Sequence, residues 1–167
     1  MKSFIEQARF YAGYHQKPAT LYTHLIGIPL IIFSLMILMG FVQIKMPTVF
    51  SITFATIGTL VLLAYYFMLN WRLALTITPI LALLLWLSTF FSHSGPTKTG
   101  IWVFFICFVA GWTLQLAGHA MEGKKPALVD NLWQALIAPL FLIAELYFMM
   151  NWMSALKAQI HDNGDTI

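Results

Sequence analysis

Histidine and acidic side chains are the residues of this chain whose chemistry could support catalysis. His119 and Glu122 are three residues apart, so on a helix they project to the same side, and Gln115 lies one turn earlier on that side. His15 and His24 stand near the amino terminus, nine residues apart, and so are not a local ligand pair. Neutral imidazole and carboxylate are the ligands of non-haem iron sites that keep positions open for oxygen and substrate. These residue types fit such a site if the fold brings them together.

The elements that must position these residues are membrane helices. Of the 167 residues, 60% are hydrophobic and only 9% are charged, whereas a soluble domain carries about 25% charged residues. Too few polar side chains remain to cover the surface of a soluble protein of this size. The net charge of +3 reflects a scarcity of acids and does not describe a basic face for nucleic acid. We therefore expect a single transmembrane domain over residues 1–167, with membrane lipids as its surroundings and no nucleic acid as a partner.

Apolar stretches predict an all-α integral membrane protein with about five transmembrane helices. The predicted spans cover residues 25–42, 48–69, 73–91, 101–121 and 132–152. Read as one helix, Thr48 to Ser92 would be about 67 Å long, more than twice the bilayer core of about 30 Å, so the chain must reverse there. We place that turn at Asn70-Trp71-Arg72, the only polar interruption. Lys2 to Gly13 has apolar residues at helical spacing and predicts an interfacial amphipathic helix.

The basic residues predict the orientation of these spans. Five spans place six of them on the N-terminal side (Lys2, Arg9, Lys17, Arg72, Lys124 and Lys125) and three on the other (Lys45, Lys98 and Lys157). The positive-inside rule then puts the N-terminus in the cytoplasm. We expect the protein in the inner membrane of a bacterium, or in the endoplasmic reticulum if the host is a eukaryote. In this topology the candidate ligands His15, His24 and His119 reach the cytoplasmic face. The other two histidines, His93 and His161, fall on the opposite side.

Glu145 is the acid whose position is least expected. It lies within the fifth predicted span, where a charge is costly and normally faces a polar interior. Glu145 is a candidate catalytic residue, and three roles are open: a metal ligand, a partner that orients a histidine, and a neutral acid hydrogen-bonded to another helix. Asp130, at the start of the same span, is the predicted N-cap of that helix. Cys107 is the single cysteine, which excludes an intramolecular disulfide, and we interpret it as a small packing residue.

The histidines and their neighbours also carry a family resemblance. The stretches concerned are Tyr14-His-Gln-Lys-Pro18, His24-Leu-Ile-Gly-Ile-Pro29, Gly111-Trp-Thr-Leu-Gln-Leu-Ala-Gly-His119, Glu122-Gly-Lys-Lys-Pro-Ala127 and Gln134-Ala-Leu-Ile-Ala-Pro139. Together they resemble the family of the 2-hydroxy fatty acid dioxygenase of the yeast endoplasmic reticulum, which has many bacterial members. The resemblance covers most of the chain, and the middle spans match in hydropathy alone.

The resemblance implies an Fe(II)-dependent dioxygenase. Such an enzyme would use O2 for the α-oxidation of a long-chain 2-hydroxy fatty acid and release the fatty acid one carbon shorter. On that basis His15, His24 and His119 would bind the metal, with Glu122 as a further ligand or catalytic residue and a fourth ligand open. The substrate offers a carboxylate and an adjacent hydroxyl that can chelate a metal. The residues proposed to neutralise the carboxylate are Lys17, Arg72, Lys124 and Lys125.

Two other classes of function remain open from the residues. One is a non-enzymatic binding or scaffold protein of the membrane, in which the histidines are headgroup anchors. The other is a small transporter or proton carrier that uses Glu145. A transporter needs a polar path across the bilayer, whereas the enzyme needs bound metal at the histidines.

Overall fold

The computed structural model describes residues 3–14, 17–45, 51–124 and 133–161, which are almost entirely helical. The helices are α1 Phe4–Ala12, α2 Pro18–Gly40, α3 Phe54–Leu69, α4 Trp71–Ser92, α5 Lys98–Glu122, α6 Trp133–Met149 and α7 Ser154–His161. Two short strands, β1 Gln43–Lys45 and β2 Ser51–Thr53, pair antiparallel between α2 and α3. The predicted ligand His15 and the predicted cap Asp130 lie outside the described residues.

The long helices have the length and composition of membrane spans. α2, α4 and α5 contain 23, 22 and 25 residues with mean hydropathies of 2.1, 2.0 and 1.8, while the apolar α3 has 16 residues. Outward-facing side chains are large and apolar, and Leu60, Val61 and Met68 are 61%, 65% and 72% exposed. A surface of this kind is suited to lipid and costly in water. The predicted all-α membrane fold is thus confirmed, although the described residues contain three helices of spanning length, or four if α6 and α7 count as one bent span.

The predicted reversal between the second and third spans is confirmed at Asn70. α3 ends at Leu69, and the Asn70 side-chain oxygen accepts hydrogen bonds from the backbone N–H groups of Arg72 and Leu73 at 3.2 and 3.3 Å. Asn70 thereby caps α4, since the first N–H groups of a helix have no partner within it. α3 and α4 can therefore pack as an antiparallel pair with almost no loop between them.

Two predicted boundaries differ from the structure. The first span begins at Pro18, seven residues before the predicted start, because proline is well suited to the first helical position. His24 consequently lies about two turns inside α2 and not at its entrance. The second span was predicted from residue 48, but Ser51–Thr53 is a strand and Thr53 caps α3 by accepting from the Thr56 N–H. Each strand has only three residues, with one isoleucine in each, so hydropathy gave no signal for this hairpin.

α6 lies across one end of the helix bundle, the end at which α2 and α4 begin and α3 and α5 finish; we call this the Glu122 end. The Tyr66 hydroxyl, one turn from the end of α3, donates to the Leu136 carbonyl at 2.7 Å. The Tyr147 hydroxyl lies 2.6 Å from Thr76 Oγ1, in the second turn of α4. Because both ends of α6 contact the same end of the bundle, the fifth predicted span does not run from one end to the other. Ten of its 17 residues are buried.

The C-terminal helix α7 turns back towards the N-terminal helix α1. α6 and α7 meet at 119°, and the turn between them holds Asn151 and Met153 at φ values of 58° and 56°. Arg9 Nε donates to the Gln159 carbonyl at 2.5 Å, which ties the two chain ends together. His161 therefore lies at the Glu122 end, and its predicted position on the opposite face is wrong, because α6 does not traverse the bundle.

α1 has the amphipathic pattern that the sequence predicts, but its apolar face is covered by protein. Ser3 and Glu6 form a reciprocal capping box at its start. Phe4, Ala8 and Tyr11 are buried, and the ring of Tyr11 packs on that of Phe141 in α6 with centroids 4.8 Å apart. α1 therefore forms part of the core at the Glu122 end.

Candidate metal centre

Two of the predicted metal ligands, His24 in α2 and His119 in α5, face each other. Their Nε2 atoms are 3.3 Å apart, and the imidazole rings are inclined at 73° with centroids 4.9 Å apart. His24 is 1% exposed and His119 is 6% exposed. The pairing joins residues 95 positions apart in the sequence, in a site from which water is largely excluded.

Glycines allow α2 and α5 to approach closely enough for this contact. The two helices form the most extensive helix pair among the described residues. A Cβ on Gly27 would stand 3.0 Å from the Gly111 carbonyl oxygen, and one on Gly111 would stand 2.7 Å from Ile31 Cγ1. A Cβ on Gly118 would meet Thr23 Oγ1 at 2.3 Å and the His24 ring at 3.0 Å. Small residues at such crossings let helix backbones approach each other in membranes.

The spacing of the two imidazoles fits ligation of one metal ion. With metal–nitrogen distances of about 2.0–2.1 Å, two nitrogen ligands of a tetrahedral site are about 3.3–3.4 Å apart. The observed Nε2–Nε2 distance is 3.3 Å. The same distance is compatible with a hydrogen bond in which one neutral imidazole donates to the other. His24 Nδ1 lies 3.3 Å from Thr23 Oγ1, which helps to orient that ring.

Glu122 is adjacent to this pair but its carboxylate is engaged with the start of α2. Its Oε2 accepts from the Lys17 backbone N–H at 3.0 Å and from the Thr20 hydroxyl at 2.7 Å. Thr20 is fully buried, and Lys17, the N-cap residue of α2, supplies no side-chain cap. A carboxylate at this position satisfies an N-terminal N–H and is stabilised by the helix dipole. Glu122 thus anchors α2 on α5 next to the histidines.

The described residues alone do not complete a metal site. Across residues 3–14, 17–45, 51–124 and 133–161, no group of three or more His, Cys, Asp or Glu side chains has an arrangement that could hold a metal ion. The third predicted histidine, His15, is outside these ranges but only two positions before Lys17, whose backbone is bonded to Glu122. The assignment of His15 as a ligand stays a prediction.

A long apolar cavity of about 400 Å³ reaches His119 of the histidine pair. His119 and Gln115 line it at the Glu122 end, and α2 and α3 form its walls as far as Met39. Polar side chains are confined to a few positions, among them Gln134 at the start of α6, which is 3% exposed. Its volume lies within the range of about 300–1,000 Å³ that is usual for ligand pockets. Sequence reasoning did not assign Gln134 a role, and its only signal was a polar residue at the start of an apolar helix.

Glu145 belongs to a different cavity, of about 530 Å³, at the same end of the bundle. Its Oε1 is 2.7 Å from His161 Nε2, and Arg9 and Lys17 line the same space. The structure therefore does not bring Glu145 to the His24–His119 pair. It provides Glu145 with a polar partner from α7, which corresponds to the hydrogen-bonded role among the three left open by the sequence.

His93 lies at the opposite end of the bundle, as the sequence predicts. It follows the last residue of α4, and its carbonyl accepts from Gln43 Nε2 of β1 at 2.6 Å. Its ring nitrogens lie near the Thr89 carbonyl and the Ser94 hydroxyl, at 3.2 and 3.0 Å. His93 is therefore at the end of the bundle away from the His24–His119 pair.

Comparisons with known proteins identify the family of this chain. The family model described as 2-hydroxy-palmitic acid dioxygenase Mpo1-like matches residues 1–150. A curated relative from Saccharomyces cerevisiae, named 2-hydroxy-palmitic acid dioxygenase MPO1, is 33% identical over 162 residues, which cover 93% of this chain and 87% of the relative. No solved structure matches the chain. The resemblance found in the histidine motifs is confirmed, and the chain belongs to the Mpo1-like family.

Proposed function

We propose that this protein is an Fe(II)-dependent dioxygenase that converts a long-chain 2-hydroxy fatty acid to the fatty acid one carbon shorter. The reaction balances as one 2-hydroxy acid and one O2 giving the shortened acid, CO2 and water. The observation that carries the proposal is the His24–His119 pair, 3.3 Å apart, next to a long apolar cavity that His119 lines. The name of the yeast relative supports the same substrate class.

The cavity suits the acyl chain of such a substrate. Along α2 its lining extends from Ile28 to Met39, a rise of about 17 Å at roughly 1.5 Å per residue. The walls are almost entirely aliphatic, so burial of methylene groups there is favourable at about 0.8 kcal/mol each. The polar lining residues His119, Gln115 and Gln134 lie towards the Glu122 end, whereas Thr59 lies nearer the other end of α3. A fatty acid would therefore lie with its tail between the helices and its head group beside His119.

His24, His119 and His15 are the residues proposed to hold the iron, with Glu122 as a positioning residue or a further ligand. When bound, Fe(II) supplies Lewis acidity and the one-electron chemistry by which O2 reacts with an organic substrate. The chain supplies geometry and a dry site. Burial of both rings excludes water, Thr23 orients His24, and Glu122 fixes the start of α2 against α5.

Two basic residues of the Glu122 end donate to backbone carbonyls. Lys17 Nζ donates to the Met121 carbonyl at 2.6 Å, and Lys124 Nζ donates to the Gly13 carbonyl at 2.6 Å. An ammonium group has three donors, so each lysine keeps capacity for a carboxylate. Arg72 stands over the Trp71 ring at 5.6 Å and is a weaker candidate for that role. We propose that Lys17 or Lys124 attracts the substrate carboxylate to the membrane face.

The proposed location of the site is the cytoplasmic face of a bacterial inner membrane, or of the endoplasmic reticulum in a eukaryote. Because α7 lies at the Glu122 end, Lys157 joins the six basic residues of the N-terminal side. The ratio of basic residues then becomes seven to two, with Lys45 and Lys98 on the other side. This stronger bias supports a cytoplasmic Glu122 end.

The alternatives have less support. A transporter using Glu145 needs polar groups along a path across the bilayer, and Glu145 is instead bonded to His161 at one end of the bundle. A scaffold gives no reason for two buried imidazoles to face each other.

The deciding experiment measures metal and product on the same preparation. Protein purified in mild detergent should contain about one iron per chain and convert 2-hydroxypalmitic acid to pentadecanoic acid in the presence of O2. Mass spectrometry identifies the product, and atomic absorption measures the iron. Folded protein that takes up no iron and yields no product would exclude the dioxygenase and leave the scaffold.

A further inference from the structure

The amide oxygen of Gln134 is buried and has no hydrogen-bond donor among the described residues. Gln134 is 3% exposed and lines the apolar cavity together with His119 and Gln115. Nearly all buried polar atoms in proteins are hydrogen-bonded, because an unpaired acceptor destabilises the folded state. An acceptor of this kind at the polar end of a ligand cavity is suited to a donor that the ligand brings.

Two hydroxyl groups of the cavity wall donate their protons elsewhere. The Thr59 hydroxyl donates to the Ala55 carbonyl at 2.7 Å, and the Tyr66 hydroxyl donates to the Leu136 carbonyl at 2.7 Å. Both contacts are to helix backbone and hold the wall in place. Neither hydroxyl therefore supplies its proton to Gln134.

The chemistry of an acceptor limits which part of a fatty acid it can bind. An ionised carboxylate has only acceptor oxygens, and the acyl chain has no strong donor. The 2-hydroxyl is the only group of an ionised 2-hydroxy acid that can donate a hydrogen bond. We propose that Gln134 accepts a hydrogen bond from the substrate 2-hydroxyl and thereby selects 2-hydroxy acids over unsubstituted fatty acids of the same length. This inference rests on the proposed function and adds a specificity-determining residue to it.

Selection follows from the cost of leaving Gln134 unpaired. A 2-hydroxy acid supplies the missing donor, whereas an unsubstituted acid covers the oxygen with a methylene group. Sites built to bond a hydroxyl discriminate strongly against an analogue that lacks it. From the usual cost of an unsatisfied buried acceptor, we expect the hydroxylated acid to bind about 5 to 100-fold more tightly.

The test compares Gln134→Met with Gln7→Met, the same substitution at another buried glutamine of the Glu122 end. Gln7 is 6% exposed, and its Oε1 accepts from the Tyr65 hydroxyl at 3.1 Å. Binding of 2-hydroxypalmitic acid and palmitic acid is measured by displacement of a fluorescent fatty acid from the full-length protein. The measurements are made without oxygen to prevent turnover, and are repeated after chelation of iron. The thermal midpoint Tm of each variant is recorded alongside.

The two variants should behave in opposite ways. Gln134→Met should lose most of the preference for the hydroxylated acid while its Tm is unchanged or higher, because an unsatisfied acceptor is replaced by an apolar group. Gln7→Met should keep the preference and lower the Tm, because Tyr65 loses its acceptor.

Three outcomes would overturn the inference. The first is a wild-type protein that binds both acids equally well. The second is a Gln134→Met protein that keeps the preference for the hydroxylated acid. The third is a Gln134→Met protein that binds both acids equally more weakly, which would indicate a contact to the carboxylate. A lower Tm for Gln134→Met would also count against it, by showing that protein already satisfies the oxygen. The proposed function is tested separately, by the iron content of the wild-type protein and its conversion of 2-hydroxypalmitic acid.

Discussion

The Nε2 atoms of His24 and His119 lie 3.3 Å apart although the two residues are separated by 95 positions in the sequence. α2 and α5 carry one histidine each, and their close crossing at glycines brings the rings together. The chemistry of the site therefore depends on helix packing as much as on the ligands.

The histidines can be tested against a control of the same residue type. Changing His15, His24 or His119 to Ala should each abolish conversion of 2-hydroxypalmitic acid and lower iron content. His93→Ala should do neither, because His93 lies at the far end of α4. Iron per chain and product formation are the measurements. Equal behaviour of all four variants would contradict a metal centre at the Glu122 end.

Removal of iron by a chelator should likewise abolish turnover, and added Fe(II) should restore it.

A methyl group on Gly118 should disturb the site without removing a ligand. The added Cβ would overlap Thr23 Oγ1 and lie 3.0 Å from the His24 ring, so these side chains must shift or the two helices must move apart. Gly118→Ala should cost about 1–3 kcal/mol in stability, as overpacking does. It should also lower iron affinity by about 10 to 100-fold, as is usual when the support of a ligand is lost. Gly13→Ala is the control, because its Cβ has only ordinary contacts and its φ is −59°. Similar iron affinities for both variants would argue against this role of Gly118.

Two substitutions of Glu122 separate a positioning role from a ligand role. Glu122→Gln keeps an oxygen that can accept from Lys17 N–H and the Thr20 hydroxyl. Glu122→Ala removes the acceptor of the Lys17 N–H and leaves the Thr20 hydroxyl only the Gly118 carbonyl, at 3.2 Å. If Glu122 positions α2, the Gln variant should retain most iron and activity. The Ala variant should lose about 1.5–3 kcal/mol of stability and about 10 to 100-fold in iron affinity. Equal loss of iron in both variants would instead indicate that the carboxylate binds the metal.

The position of α7 makes a prediction about topology. Reporters fused to the N-terminus and to the C-terminus should give the same side of the membrane, because Arg9 bonds to Gln159 and α6 lies across the Glu122 end. Five full crossings would place the two termini on opposite sides. Fusions to phosphatase and to a fluorescent protein distinguish the two topologies.

Glu145 should prove dispensable for turnover. Glu145→Gln keeps a hydrogen-bond acceptor for His161 but removes the charge, and the pair is partly exposed, at 37% for His161 and 17% for Glu145. We expect a change of no more than about 1 kcal/mol in stability, as for other exposed pairs. Iron content and activity should stay at wild-type levels. Limited proteolysis near α7 measures any loosening of the C-terminal helix. Loss of iron from a folded Glu145→Gln protein would show that Glu145 supports the metal centre.

Hydropathy and length determined the membrane class, the approximate positions of the long helices and the reversal at Asn70. These features follow from local physics, because an apolar run longer than a bilayer must turn and a polar residue marks the turn. Residue chemistry also identified His24, His119 and Glu122 as candidates, since few other ionisable side chains are available. The third histidine, His15, lies outside the described residues and stays a prediction.

Tertiary structure alone decided where α6 lies and what Glu145 contacts. A helix that is apolar on every side satisfies hydropathy equally well in lipid or in the core of the protein. α6 is buried against α1, α2 and α4, so it places His161 at the Glu122 end and not across the membrane. The separation of the histidines, the glycine crossing and the unpaired oxygen of Gln134 likewise arise from contacts between distant segments. Such contacts depend on how helix surfaces fit, which the spacing of residues along one chain does not specify.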